Sequence, residues 1–335
     1  ARLGYRPDPA ARRLIARRGR AAPAADPRAP RLACVGYVCA DHRVEVDVLP
    51  HRDDRALAGA IEQRLGGRAA NVAVTAAGFG PPLPVAAELL SVVGDDADSD
   101  WAAATLAERG VVLAPESQVA GARLSRCIIL VEPNGHRTIV NEALQVSAAR
   151  FRRWLAPGPG APRMVYVQAD QLAELWPVIA ADAAPRDRFA THLVGGDIDR
   201  LGHATIAALL RRFDLVVFAR GAARAFTGAV GGDDALARAL AAAVADAPGR
   251  AALTLGAEGA MLIESGVVVA REPGPAVAPV DTTGAGDVFT AALITAGLHG
   301  YAAPEALRFA VTAAGRSIRT KGAQDHGLTA ADILV

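Results

Sequence analysis

The alternation of short apolar runs with helical segments most constrains the fold of this chain. Helical patterns cover residues 171–181, 205–212 and 235–245. The apolar runs that read as buried strands are 32–36, 164–167, 192–195, 214–218 and 251–255. Strands that alternate with helices join through right-handed crossovers into a mostly parallel sheet covered on both faces. We therefore predict a three-layer α/β/α domain whose ligands lie beyond the carboxyl ends of the strands.

Two segments break this alternation and predict a small second sheet. Residues 44–48 alternate apolar and polar side chains, and residues 127–131 and 137–140 flank a Pro-Asn-Gly turn. We expect these segments, within about 43–58 and 121–145, to form a β lid. Such a lid covers a site or pairs with a second subunit, so a homodimer through the lid is expected.

The first 30 residues differ in composition from the rest, because they are rich in arginine, proline and alanine and poor in acidic residues. We interpret residues 1–30 as an extension and residues 31–335 as the folded domain. A transit peptide and an upstream stretch outside the functional domain remain alternatives for the extension.

Composition excludes several classes of function. The net charge of +1 and the aromatic content of 4% do not favour nucleic-acid binding, and no apolar stretch is long enough to span a membrane. Lys321 is the single lysine and precedes glycine, which argues against a P-loop and against a protein kinase. Three cysteines without paired metal spacing predict reduced thiols and a cytoplasmic protein.

The run Asp-Thr-Thr-Gly-Ala-Gly-Asp-Val-Phe at 281–289 carries the clearest chemistry. Small apolar residues follow it, so it reads as a loop that becomes a buried helix. Free amides at a helix start stabilise an anion, and glycine lets a phosphate approach the backbone. A carboxylate is the wrong group for holding a phosphate, so Asp287 is predicted to be a general base that takes a proton from an attacking hydroxyl. The combination indicates phosphoryl transfer to an alcohol.

From about residue 31 to 327 the chain resembles the ribokinase-like carbohydrate kinases, the PfkB family. The run at 281–289 resembles the family signature D-T-x-G-A-G-D, and 66–71 resembles its N-terminal GG-x-A-x-N element. Segments 36–42, 254–260 and 319–324 are similar to the first strand and turn, the nucleotide-lining loop and the cation-binding C-terminal segment. The resemblance implies the ribokinase-like α/β/α fold with a β lid.

The resemblance also implies roles for individual residues. Asp287 corresponds to the catalytic base, and the anion hole corresponds to Gly284, Ala285 and Gly286. The implied sugar-binding residues are Asp41, Gly66, Gly67, Asn71 and Arg137. Those implied to contact ATP are Thr254, Gly256, Gly259 and Thr283. A monovalent cation, K⁺, is expected near Asp281, Thr283, Ile318, Lys321 and Gly322, largely through backbone carbonyls.

One departure concerns magnesium. Many members carry N-x-x-E after the strand at 214–218, where this chain has Ala219 and Ala222. Asp197 and Asp199, in a Gly-Asp-Ile element similar to that of sulfofructose kinases, are alternative sources of carboxylates for Mg²⁺. Arg137, with Arg55, would suit an anionic sugar.

We therefore expect an ATP- and Mg²⁺-dependent kinase that phosphorylates a primary hydroxyl of a small sugar such as ribose or a ketose. Sulfofructose or another anionic sugar and a nucleoside remain alternative acceptors. A sugar-binding regulator with weak catalysis is an alternative of another class, favoured only by the two alanines and opposed by Asp287. A nicotinamide oxidoreductase fails because no G-x-G-x-x-G follows the first strand.

Overall fold

The computed structural model describes residues 28–133, 136–142, 144–156, 163–181 and 188–334. The turn expected at 134–135 and most of the extension, residues 1–27, lie outside the described residues. The first strand begins at Arg31, where the folded domain was expected to start.

A nine-stranded sheet forms the centre of the molecule. Its strands, in sheet order from one edge, are β13 (Val267–Glu272), β12 (Ala260–Glu264), β11 (Arg250–Thr254), β10 (Leu215–Ala219), β9 (Arg188–Leu193), β8 (Arg163–Val167), β1 (Arg31–Val35), β4 (Ala86–Leu90) and β5 (Val111–Leu113). All neighbours pair in parallel except at β12, which runs antiparallel to β11 and β13. The predicted mostly parallel sheet is confirmed.

Helices cover both faces because the central strands are apolar at consecutive positions. One face packs against α1 (Arg68–Gly78), α2 (Ala97–Glu108), α9 (Ala285–Leu298), α10 (Ala303–Ser317) and α11 (Ala330–Ile333). The other packs against α3 (Ala148–Leu155), α4 (Leu172–Ala181), α5 (Gly195–Leu201), α6 (His203–Arg212), α7 (Arg220–Thr227) and α8 (Asp233–Ala243). In β1, for example, Leu32 and Cys34 face the first group, while Ala33 and Val35 face the second.

A separate four-stranded sheet forms the lid. Its order is β3 (Ala58–Gly66), β2 (Cys39–Val46), β6 (Ser125–Val131) and β7 (Arg137–Glu142). β2 pairs antiparallel with β3 and parallel with β6. The first lid segment was expected at about 43–58, whereas strands are found at 39–46 and 58–66. Small and charged residues make β3 a weak strand by composition, and its pairing with β2 holds it in the sheet.

Two helices carry the residues expected at the active site. Helix α9 is apolar on all sides, and its residues 287–296 are all buried, as expected for a helix in the centre of a domain. Helix α1 is buried from Ala69 to Ala76 and packs directly against α9. Within the described residues, no helix is long and apolar enough to cross a membrane.

Candidate active site

Close packing requires both glycines of the signature. Gly284 caps α9 with φ 78°, in the left-handed region, and a β-carbon there would lie 2.6 Å from Cβ of Ala323. A β-carbon on Gly286 would lie 2.5 Å from Cε1 of His192. The glycines therefore let the start of α9 approach both the C-terminal segment and the end of β9.

The first turn of α9 leaves backbone donors for a ligand. The Asp287 amide donates to the Gly284 carbonyl at 2.9 Å, and the Ala285 amide makes only a long contact of 3.4 Å to the Thr282 carbonyl. The amides of Gly284 and Gly286 bond to no other residue that the structure describes. Such donors at a helix start, with the helix dipole behind them, suit an anion.

Asp287 is buried, with 6% of its surface exposed. Its Oδ2 accepts a hydrogen bond of 2.8 Å from Nδ2 of Asn71. Burial raises the pKa of Asp287 to about 6, opposed by the positive charge of Arg68 and the Asn71 hydrogen bond and assisted by the charge of Asp41. The group is therefore mostly ionised at neutral pH, yet its pKa lies close enough to 7 for it to accept a proton effectively.

Asn71 belongs to a row of buried polar groups. Its Oδ1 accepts from Nε2 of Gln324 at 2.7 Å, and Oε1 of Gln324 accepts from Nη1 of Arg109 at 2.6 Å. Asn71 and Gln324 are each 6% exposed. The row links α1, the C-terminal segment and the end of α2.

Asp41 lies on the inner face of the lid and contributes to the same site. Its Oδ1 accepts from the Cys39 thiol at 2.9 Å, and a β-carbon on Gly66 would lie 1.9 Å from its Oδ2. Gly66 is therefore needed to make room for this carboxylate. Burial raises the pKa of Asp41 to about 6, while the Cys39 hydrogen bond lowers it.

A cavity of about 300 Å³ lies between the lid and the start of α9. It brings together most of the predicted catalytic and sugar-binding residues, namely Asp41, Gly67, Asn71, Arg137, Gly284, Ala285, Gly286 and Asp287, and also Thr283, which was expected to contact ATP. Gly66 lies beside it against Asp41. One carboxylate from the lid and one from α9 thus border the same space, which is suited to binding a hydroxylated molecule.

The lid reaches the loop before α9 through Arg137, whose Nη1 donates to Oγ1 of Thr283 at 3.0 Å. A second lid contact joins Nδ2 of Asn141 to the Tyr37 hydroxyl at 2.6 Å.

Beyond Arg137 the space opens into a larger cleft of about 670 Å³. Carboxylates outnumber guanidinium groups in its lining six to three. Arg55 is exposed and lines neither space.

Several groups in the segment expected to hold a monovalent cation are already bonded within the protein. Asp281 accepts from the amides of Thr283 at 2.9 Å and Gly322 at 3.0 Å. Burial acts to raise its pKa, but the hydrogen bond of the Thr283 side chain, these two amides and the charge of Arg137 bring it below its usual value. The Ile318 carbonyl accepts two amides, and the Lys321 carbonyl accepts from a guanidinium nitrogen of the lid at 3.1 Å. Two donors leave little capacity for a cation at the Ile318 carbonyl, whereas the Lys321 carbonyl, with one donor, keeps a second acceptor position.

The side chains do not fit a dedicated magnesium site. Ala219 and Ala222 offer no ligand atoms. Asp197 is buried, accepts from the Val194 amide at 2.8 Å, and forms ion pairs with Arg68 and Arg200. Its oxygens are therefore neutralised by arginines, and Asp199 is exposed. No group of three candidate metal ligands occurs in the part of the chain that the structure describes.

Three of the residues expected to bind ATP, Thr254, Gly256 and Gly259, lie at the end of β11 outside both cavities, whereas the fourth, Thr283, lines both. Thr254 ends the strand, and Gly256 begins a short 3₁₀ turn where no other atom lies within 4 Å of its β-carbon position. Gly259 is required by packing instead, since a β-carbon there would lie 2.0 Å from the Glu272 carbonyl. Because neighbouring parallel strands end at one edge, this turn shares the sheet edge with His192.

Sequence reasoning assigned no role to two side chains at the site. Arg68 donates to the His192 carbonyl at 3.0 Å and lies near Asp287 and Asp197. His192 is 4% exposed and lines the 300 Å³ cavity; burial and the Arg68 charge lower its pKa to about 3, so it is neutral. The position of Arg68 directly after the two glycines was a sequence signal for a role at the site. No local sequence pattern indicates such a role for His192.

Comparisons with known proteins agree with this architecture. The structure is similar to that of ribokinase from Arabidopsis thaliana, complexed with ribose and ATP, with a TM-score of 0.70, 23% identity, and coverage of 91% of this chain and 98% of that one. It is also similar to adenosine kinase from Sinorhizobium meliloti, with a TM-score of 0.71, 20% identity, and coverage of 88% and 95%. A curated ribokinase from Arabidopsis thaliana is 44% identical over 70 residues, which span 21% of this chain and 18% of that protein.

The family model described as pfkB family carbohydrate kinase matches residues 29–330. This range contains both cavities, the lid and the signature at the start of α9. It confirms the resemblance drawn from the sequence and the ribokinase-like fold. The chain belongs to the pfkB family of carbohydrate kinases.

Proposed function

We propose that this kinase transfers the γ-phosphoryl group of ATP to a primary hydroxyl of a small neutral sugar, such as ribose or a ketose. The observation that carries the proposal is the position of Asp287, a buried carboxylate in the first turn of α9 that borders a sugar-sized cavity. A base and anion-binding amides thus occupy adjacent positions. Phosphoryl transfer to an alcohol uses a base for the hydroxyl proton and donors for the transferring phosphoryl group.

In the proposed reaction the sugar hydroxyl donates a hydrogen bond to Asp287 and loses its proton as it attacks the γ-phosphorus in line. The breaking bond leaves ADP, and the proton stays on Asp287. The amides of Gly284 and Gly286 donate to the transferring phosphoryl oxygens. Closure of the lid, held by the Arg137 to Thr283 contact, excludes water as a competing acceptor.

Charge at the site favours a neutral acceptor over an anionic one. The 300 Å³ cavity presents Arg68 and Arg137 together with Asp41 and Asp287, and the adjoining cleft has an excess of carboxylates. Arg137 already bonds to Thr283, and Arg55 lies outside both cavities. A sulfonated or phosphorylated sugar would therefore meet more repulsion than attraction.

ATP is proposed to lie along the carboxyl edge of the sheet, from Thr254 and Gly256 towards the start of α9. This places the nucleotide where parallel sheets bind their ligands and its terminal phosphate at the helix start. Because the protein side chains do not fit a magnesium site, Mg²⁺ would be held by the nucleotide phosphates and water. The internal contacts of the cation segment favour weak dependence on K⁺.

Homodimerisation through the lid is also proposed. The lid face that points away from the cavity exposes a cluster of large apolar side chains, namely Ile61, Ile128 and Val140, with 68%, 46% and 62% exposed. Exposed apolar clusters of this kind mark protein interfaces. Light scattering on the wild type and on Ile128→Glu tests it: a monomeric wild type would refute the proposal, whereas a dimer that the variant dissociates would support it.

The central test is a screen for ADP release over ribose, ketoses, anionic sugars and nucleosides, with wild type and Asp287→Asn. Activity on a neutral sugar, lost in the variant while calorimetry still shows sugar and ATP binding, supports the proposal. Near-normal turnover by the variant refutes the base assignment. Sugar binding without ADP release from any acceptor would favour the regulator, and a preference for nucleosides would change the acceptor.

A further inference from the structure

The row of polar groups behind Asp287 has a fixed direction. Hydrogen bonds of 2.8, 2.7 and 2.6 Å join Asp287 to Asn71, Asn71 to Gln324, and Gln324 to Arg109. In each of the two side-chain amides, the NH₂ group donates to one neighbour and the oxygen accepts from the other. All three hydrogen bonds therefore form only if the NH₂ group of each amide points towards Asp287 and its oxygen points towards Arg109.

Arg109 sets this direction, because a guanidinium group only donates hydrogen bonds. Oε1 of Gln324 must face Arg109, which turns the Gln324 NH₂ towards Asn71. Oδ1 of Asn71 must then face Gln324, which leaves its own NH₂ facing Asp287. The ionised carboxylate needs this donor.

We propose that Gln324 and Arg109 are positioning residues that hold the Asn71 amide with its NH₂ towards Asp287. The inference rests on the proposed role of Asp287 as the base and adds two residues that do not touch the substrate. Their function is to keep the carboxylate ionised and aimed at the cavity.

Arg109 is itself held in place by the C-terminal segment. Its Nη2 pairs with Oδ1 of Asp325 at 2.9 Å, and the other oxygen of Asp325 pairs with Nη1 of Arg64, on the lid strand β3, at 3.1 Å. One carboxylate thus joins the lid to the residue that orients the row. The orientation of Asn71 is therefore supported by contacts from both the core and the lid.

The other groups that face Asp287 lie on elements that do not carry Gln324. They are Arg68 on α1, Asp41 on β2, Tyr166 on β8 and His192 on β9. Arg68 favours the ionised form of Asp287, whereas Asp41 opposes it. A change in the behaviour of Asp287 after substitution at 324 therefore reports on Asn71.

The decisive variant is Gln324→Glu, which has the same shape and should keep the contact with Arg109. A carboxylate at 324 can only accept from Asn71, so the Asn71 amide must turn and present its oxygen to Asp287. We expect the acidic limb of the kcat/KM profile to move up by about one to two pH units. Activity should fall strongly at pH 6 and recover towards wild type at pH 8.5.

A neutral variant separates orientation from added charge. Gln324→Leu removes the donor to Asn71 without introducing charge, so the acidic limb should move in the same direction by a smaller amount. A wild-type profile for this variant would overturn the inference, because the Gln324→Glu effect would then be electrostatic. Gln63→Glu, which adds a charge on the outer face of the lid, is the matched control and should keep the wild-type profile.

A stability measurement tests the same contact without turnover. Gln324→Glu should lower the midpoint of denaturant unfolding at pH 8, and this loss should be much smaller in the Asp287→Asn background, where the neutral amide can donate to the turned Asn71. Equal losses in both backgrounds would show a purely structural role and overturn the inference. If Asp287→Asn keeps near-normal turnover, the proposed role of Asp287 as the base fails, and the positioning role fails with it. If Asp287→Asn loses turnover but Gln324→Glu keeps the wild-type kcat/KM profile, only the positioning role fails.

Discussion

Replacing Asp287 with asparagine should make the protein more stable at neutral pH while it lowers turnover. The carboxylate is buried in the native state, and its pKa rises from 3.8 to about 6. A rise of this size corresponds to ~3 kcal/mol of native-state destabilisation when the group is ionised. Asparagine carries no charge and can still accept the hydrogen bond from Asn71, so it should recover most of this free energy.

The sign follows from proton binding. Below pH 3.8 Asp287 is protonated in both the native and unfolded states, and the substitution should have little effect. Between pH 3.8 and about 6 the native state binds more protons than the unfolded chain, so the free energy of unfolding falls as pH rises. Above pH 6 Asp287 is ionised in both states, so the destabilisation by its buried charge is fully present. The difference in the free energy of unfolding between the variant and the wild type should then reach its maximum.

Chemical denaturation from pH 4 to pH 8 measures this effect. With an unfolding entropy of ~2.1 cal/mol/K per residue over 335 residues, the gain corresponds to about 4 °C in Tm at pH 8. Turnover should fall by about 10²–10⁴-fold, the usual contribution of a general base. Asp246→Asn, an exposed aspartate in the turn after α8, is the matched control. A variant no more stable than wild type at pH 8 would refute the account of Asp287 as a desolvated carboxylate.

Three further predictions concern the start of α9, the lid and the cation segment. Gly286→Ala should reduce both stability and turnover because its methyl group would overlap His192, whereas Gly297→Ala in the same helix meets no neighbour and should gain ~1 kcal/mol in denaturant unfolding. Equal stability of the two alanine variants would contradict the close contact between Gly286 and His192. In steady-state kinetics Arg137→Gln should raise the KM for sugar more than it lowers kcat, because the contact of the lid with Thr283 is lost. Arg126→Gln, on the outer face of the lid, should leave both constants unchanged. An unaltered KM in Arg137→Gln would argue that this contact does not hold the lid closed. Turnover in potassium chloride should be close to turnover in choline chloride, and a large stimulation by K⁺ would show that the cation segment rearranges.

Features encoded in consecutive residues were predictable. The start of α9 and the position of Asp287 follow from one nine-residue run, and the central strands follow from local apolar runs. Strand β3 was displaced in the prediction because its sequence, Ala-Gly-Ala-Ile-Glu-Gln-Arg-Leu-Gly, has one β-branched residue and depends on pairing with β2. Its place in the lid is a property of the sheet rather than of the segment.

The parts of the site that depend on distant residues were not predictable. Asn71 and Gln324 were both recognised in separate motifs, but their hydrogen bond spans 253 positions of sequence. Asp197 was considered for magnesium, and only the folded chain shows that Arg68 and Arg200 neutralise it. Gly286 was explained by phosphate approach, whereas the structure adds the neighbouring ring of His192. Side-chain orientation and long-range pairing decide these points, and neither has a local sequence signal.

The bond between Asn71 and Gln324 also has a consequence for how the enzyme matures during synthesis. Most strands of the central sheet can leave the ribosome and pair well before residue 324 has been made. The amide that faces Asp287 acquires its partner only afterwards, when the C-terminal segment closes against α1 and α2. A nascent chain could therefore have a nearly complete fold and still lack the donor that orients Asp287. If Asp287 has its proposed role, catalytic competence would then appear as one of the last events in folding, and turnover would begin only when the domain is whole.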